Sequence, residues 1–307
     1  MIIFSTIIYL IFHLTIAESS IMTVILIMAI VLFYIYLKYT DISVSHVAYL
    51  LIFLFILNTV LTFDKLLHSI FSPSYLDWYK GLFLNPNTNG IFAANVLAAT
   101  FLFIKNKKTR YIVSILFILY LLGCKSRNML LFILSTFAFY QLYKTRFSRY
   151  AFLFFSLFIC IILFYLIKIE PQMTAEIELF GKSGGSAGRS SQIIYIIKEF
   201  PLTLFGLGKD IPNNYSLATN GYAVHNFYIN TIYGMGIIFL IIYFAFIKDI
   251  YNNLSSNIAK SFLLSFHIYF MFEPGMPFYA LMQNGLPIIL ILLKYKQEKN
   301  EYYTLHL

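Results

Sequence analysis

The chain has 307 residues, of which 60% are hydrophobic and only 11% charged, and its formal net charge is +9. A soluble globular domain carries about 25% charged residues, so this composition excludes one. Its two cysteines, Cys124 and Cys160, both fall in apolar stretches, which excludes a disulfide framework or a thiolate metal site and predicts buried structural thiols.

The apolar residues come in long blocks separated by short polar breaks. A hydrocarbon core of about 30 Å takes about 20 helical residues at about 1.5 Å each. Ten blocks approach that length: 2–17, 21–37, 44–63, 89–104, 111–124, 128–143, 150–168, 225–247, 258–272 and 278–293. Blocks 89–104, 111–124 and 258–272 are short, which suits tilted, re-entrant or differently bounded helices. Helices rather than strands follow from block length, and because lipid forces each segment to satisfy its own backbone hydrogen bonds. The first block lacks the positive start of a signal peptide and is followed at once by another block, so it reads as a span. The expected fold is an all-α integral membrane protein of about ten transmembrane helices, a single polytopic domain over 1–307.

The breaks fall into two alternating sets. One holds Lys38, the 105–110 cluster, the 144–149 cluster, Lys248, Lys260, Lys294, Lys296 and Lys299: thirteen of the 22 basic residues against four acids. The other holds nine of each sign, so the whole net charge lies on one side. Basic residues in short loops mark the cytoplasmic face. Both termini are therefore expected in the cytoplasm. The other set of breaks then faces outward. Dispersed loop charge of this kind speaks for topology and against nucleic-acid binding.

Two outward breaks stand out. Residues 64–88 hold the only Trp, and residues 169–224 form one long loop. Long loops in compact proteins are usually either functional or disordered. The loop contains the helix-like piece "SSQIIYIIKEF" followed by "PLTLFGLG", which predicts an ordered element lying along the membrane. Gly181-Lys182-Ser183 imitates the end of a P-loop, but position 176, where a P-loop needs Gly, is Glu.

Four outward residues are candidates for chemistry. Arg189 precedes Ser190 and Ser191, either of which is placed to cap the helix that follows; a guanidinium at a helix N-terminus makes an anion site, and the alternative is snorkelling to lipid phosphates. Arg127, after Lys125 and Ser126, sits in a turn of a few residues at the outer boundary, with the same alternative. His225, beside Asn226, opens the eighth block and is either a base or a structural histidine. Glu273, in "FEPGMPF", either ends a helix or offers a second base. Arg127 and Arg189, with Lys125 and Lys182, suit a diphosphate, which planar guanidinium forks bind bidentately. A His or Glu suits deprotonation of an attacking hydroxyl. Together they fit glycosyl transfer from a lipid diphosphate, with no nucleotide, metal or other cofactor required.

The motifs "FLNPNTNG", Ser126-Arg127, "GRSSQI" (Gly188 to Ile193), "FPLTLFGLG", and His225-Asn226 followed by nine residues and Gly236 occur in an order that resembles the O-antigen polymerase/ligase superfamily of bacterial membrane glycosyltransferases, over roughly 80–245. That resemblance implies a C-type glycosyltransferase architecture in the bacterial inner membrane, with the active site on the periplasmic side. Arg127 and Arg189 would bind the pyrophosphate of an undecaprenyl-linked glycan donor, His225 would activate the acceptor or organise the site, and Asn226, Ser126 and Ser190 would support them. It also implies a donor and an acceptor both carried on lipid, the bilayer, and a chain-length regulator protein as partners. Ile193 and Phe239 depart from the ligase pattern and the chain is short for the family, which favours the polymerase. The ligase and a lipid-linked-sugar flippase are the alternatives.

Overall fold

The computed structural model describes residues 44–72, 78–83, 86–164, 189–207, 226–272 and 285–306. It is all-helical, with no strand among the described residues. In chain order the helices are α1 (Val44–Leu61), α2 (Phe63–Phe71), α3 (Pro86–Phe103), α4 (Lys107–Cys124), α5 (Arg127–Leu142), α6 (Ala151–Phe164), α7 (Arg189–Glu199), α8 (Phe227–Gly234), α9 (Gly236–Asn253), α10 (Asn257–Phe270) and α11 (Leu286–His306). The first two apolar blocks, 2–17 and 21–37, lie outside the described residues. Two helices, α1 and α9, are 18 residues long with mean hydropathies of 2.1 and 1.3, enough by length and composition to cross a membrane.

Short polar residues set where helices begin. Asn106 accepts from Lys108 N–H and Thr109 N–H, Ser126 from Met129 N–H, Asn226 from Ile229 N–H, and Ser256 from Ala259 N–H. Each cap satisfies donors that a helix start otherwise leaves bare and contributes about 1 kcal/mol. The helix interiors pack into one large apolar core, with aromatic contacts such as Phe132 on Phe266 at 4.8 Å joining α5 to α10. Short connections between α3, α4 and α5 run the chain up and down, so helix ends sort into two sets. One end holds Thr62, Asn89, Cys124, Arg127 and Asn226. The opposite end holds the basic clusters at 105–110 and 144–149. There, Tyr143 donates to Tyr251 at 3.0 Å, and Glu298 of α11 accepts from Ser255 N–H at 2.6 Å and Ser256 N–H at 3.2 Å, closing the start of α10.

The structure departs from the sequence reading in several places. Residues 64–71 of the expected outer break are helical, as part of α2, because Thr62 leaves the α1 path at φ −132°, ψ 26°. Helix α7 begins at Arg189, so Ser190 and Ser191 fall inside its first turn and neither is the N-cap. Cys160, in α6, is exposed rather than buried. The final helix runs to His306, well past the apolar block.

The largest departure is in block 225–247, which is two helices rather than one span. A break at Met235 separates α8 from α9. Breaking a helix frees carbonyls on one side and N–H groups on the other. The extended segment 203–207 supplies partners for both: Leu207 N–H donates to Tyr233 O at 2.8 Å, while Thr203 O and Leu204 O accept from Ile237 and Ile238 N–H at 3.3 and 3.2 Å. The two backbones approach so closely that both contact points are glycine. Gly206 has φ +82° and Gly236 φ +90°, and a Cβ on either would strike the other strand of the stitch: Gly234 O for Gly206, Leu204 O for Gly236. Strain and lost hydrogen bonds together predict that Gly236→Ala lowers stability by about 3 kcal/mol or more. Thermal unfolding in detergent measures this, and a melting temperature equal to that of the unsubstituted chain would refute the stitch.

Candidate functional site

At the Arg127 end, two asparagines hold the two residues that follow α10. Asn128 Nδ2 donates to Phe272 O at 3.2 Å, and Asn226 Nδ2 donates to Met271 O at 2.9 Å. Both amides are buried, Asn226 completely. Asn226 works twice, since its Oδ1 accepts from Ile229 N–H at 2.9 Å and caps α8. Ser126 also works twice: Oγ caps α5 and donates to Asn87 Oδ1 at 3.3 Å, at the start of α3. Tyr269 of α10 reaches Asn87 O at 3.5 Å. The N-termini of α3, α5 and α8 therefore meet around the C-terminus of α10. Helix N-termini carry partial positive charge.

Arg127 is the first residue of α5 and is half-buried, with Nη2 withdrawn from solvent. Lys125 links α4 to α5 in a left-handed conformation, φ +48°, which costs an ordinary residue about 1–2 kcal/mol. Its ammonium donates to Ser72 O, so one of its three protons ties down the end of α2. Helix α7, whose first residue is Arg189, docks on α8 through Ile193 and Ile196 against Ile229 and Tyr233, with Phe272 packed on the same cluster. The chain thus brings together Lys125, Ser126, Arg127, Asn226 and the helix that starts at Arg189 and Ser190. The side chains of Arg189 and Ser190, together with Lys182, His225 and Glu273, lie outside the described residues.

A buried polar network backs this end. Asn58 donates to Asn89 Oδ1 at 3.0 Å and to the Tyr120 hydroxyl at 2.9 Å; Thr59 joins Tyr120 at 3.0 Å; Thr62 joins Tyr79 at 2.6 Å. Burial pushes the Tyr79 phenol above its usual value despite its bonds to Thr62 and Tyr120, so it stays a neutral donor. Cys124 Sγ donates to Tyr79 O at 3.3 Å. This network gives Asn89 of the "FLNPNTNG" stretch a structural duty.

Sequence reading passed over Asn128 and His267. Asn128 is a polar residue at the mouth of an apolar block, one position after Arg127, and its place alone could have flagged it. His267 lies within an apolar block, fully buried, with Nδ1 2.7 Å from Leu263 O and Nε2 2.8 Å from the Tyr243 hydroxyl. A carbonyl can only accept, so Nδ1 carries the proton and Tyr243 donates to Nε2. Among the described residues, no three His, Cys, Asp or Glu side chains gather as metal ligands would.

The shared grip on α10 makes a double-mutant prediction. Asn128→Ala and Asn226→Ala should each cost about 1–3 kcal/mol of stability, as each leaves a buried carbonyl bare. The double variant should differ from their sum by more than about 0.5 kcal/mol, read by chemical unfolding in detergent, because both act on one helix end. Strict additivity would show that the two contacts are independent. No protein-family model, no characterised protein and no solved structure matches this chain.

Proposed function

We propose that the chain is a polytopic inner-membrane glycosyltransferase that polymerises oligosaccharide repeat units carried on undecaprenyl diphosphate, with its site at the outer face. The observation that carries this reading is the pair of amides on consecutive carbonyls, Asn128 on Phe272 and Asn226 on Met271. Chain continuity ties His225 to Asn226, Arg127 to Asn128 and Glu273 to Phe272. The motif order supports the same conclusion. So does the exposed face of α1, where Phe53 and Val60 are 60% and 67% exposed: a face that apolar suits lipid better than water. Ten spans, a C-type architecture and the one-sided charge belong to this proposal.

The chemistry is a single displacement. The acceptor hydroxyl attacks the anomeric carbon of the donor's first sugar, its proton passes to His225 or Glu273, and the sugar–phosphate bond breaks with inversion. Undecaprenyl diphosphate leaves, its charge met by Arg127 and Arg189, with Lys125 and Lys182 as further cations. Three converging helix N-termini favour the same anion. The growing chain passes to the next lipid-linked repeat, and a chain-length regulator is the expected partner. An O-antigen ligase would use the same site and differ only in its acceptor.

A second reading, a flippase for lipid-linked sugars, draws support from the break between α8 and α9 and from buried His267, since transporters build sites on discontinuous helices and intramembrane ionisable groups.

Arg127→Ala, Arg189→Ala and His225→Ala should each reduce long surface glycan to single repeats while the protein still inserts, with rates down about 10²–10⁴-fold for the base. Normal glycan lengths in all three would exclude the transferase. Polymer stranded on the lipid carrier would indicate the ligase. Repeats trapped on the inner leaflet would indicate the flippase.

A further inference from the structure

Helix α2 presents three different sectors around its axis. Leu66 and Ser69 are fully buried, and the Ser69 hydroxyl donates to Gly123 O at 2.7 Å, seating the helix on the end of α4. The next sector is apolar and exposed: Phe63, Leu67 and Phe71, spaced four apart, are 48%, 41% and 83% exposed. Residues at that spacing form one edge of a helix. The remaining sector holds Asp64, Lys65 and His68, also exposed. An apolar edge between the docked side and the charged side is the arrangement a helix lying in a bilayer surface needs.

The two helices that flank α2 also carry uncovered apolar side chains. Val60 and Leu61, at the end of α1, are 67% and 60% exposed, and Ile118 and Leu122 of α4 are 54% and 47% exposed. We propose that α2 is an interfacial helix occupying the bilayer surface. Phe63, Leu67 and Phe71 enter the acyl region, and Asp64, Lys65 and His68 stand at headgroup level. Two bonds tie this helix to the site: Ser69 to Gly123, and the Lys125 ammonium to Ser72 O. Seating α2 therefore fixes the depth of the Lys125–Ser126–Arg127 turn relative to the lipid phosphates. The inference rests on the membrane half of the proposed function and not on glycan transfer.

The test uses the full chain in vesicles of phosphatidylethanolamine and phosphatidylglycerol. Cys160→Ser removes the exposed thiol, and buried Cys124 stays unlabelled. Nitroxides are placed singly through Phe63→Cys, Lys65→Cys, Leu67→Cys, His68→Cys and Phe71→Cys, and collisions with oxygen and with a water-soluble nickel chelate are compared. Oxygen should dominate at 63, 67 and 71, and the chelate at 65 and 68. Dominance of the chelate at all five positions would overturn the proposal, because the helix would then face water. Exclusion of both reagents at the three apolar positions would also overturn it, because another part of the protein would then cover the edge. If the label at 71 prevents folding, 63 and 67 decide the matter alone. The labelling pattern does not depend on polymer formation, so failure of the transferase reading is seen separately.

Discussion

The architecture at the Arg127 end depends on amide-to-carbonyl hydrogen bonds just past the end of α10. A helix C-terminus leaves carbonyls without internal donors, and leaving them buried and bare would be costly. Asn128 and Asn226 come from helices far apart in sequence and meet Phe272 and Met271. The bonds therefore satisfy a local requirement and fix a long-range arrangement together. Three helix N-termini, each with partial positive charge, are held around one point, and Arg127 stands at that point as the first residue of its helix.

The stitched break in α8–α9 obeys the same logic with backbone donors and acceptors on both sides. Segment 203–207 follows α7 directly, so the piece of chain that completes the broken helix also carries the Arg189 helix. Gly206 and Gly236 are required because two backbones occupy the space that one side chain would need. This gives a physical reason for the "FGLG" stretch and for the Gly that follows His225-Asn226. Residues 189–207 of the long loop and the broken helix are one structural unit.

Much of the fold was legible because lipid-length apolar blocks and polar breaks report helices directly. The eight blocks from residue 44 onward all meet helices, and the helix inside the long loop lies where "SSQIIYIIKEF" pointed. Block 225–247 concealed its break, because hydrophobicity records burial and not backbone continuity; Gly234 and Gly236 were the signs, and the φ of +90° at Gly236 cannot be read from letters. Helix α2 escaped because nine residues mixing Phe, Leu, Asp and Lys look like a polar connection until their docked side is known. Ser190 and Ser191 were plausible caps by type, yet the helix begins one residue earlier. At the site, residue types that announce chemistry, Arg127 and His225, were visible. The asparagines that organise the same region were less so, because an amide gripping a carbonyl depends on a partner about 45 or more positions away.

The most direct measurement is a structure of the chain in a lipid environment with an undecaprenyl-diphosphate-linked sugar bound. The proposed function predicts phosphate oxygens within about 2.7–3.2 Å of the Arg127 guanidinium and beside the N-terminus of α8, with the sugar toward Asn226. Phosphates seated instead among the basic residues at 105–110 and 144–149, or a lipid-linked sugar that finds no ordered place at the Arg127 end, would contradict it.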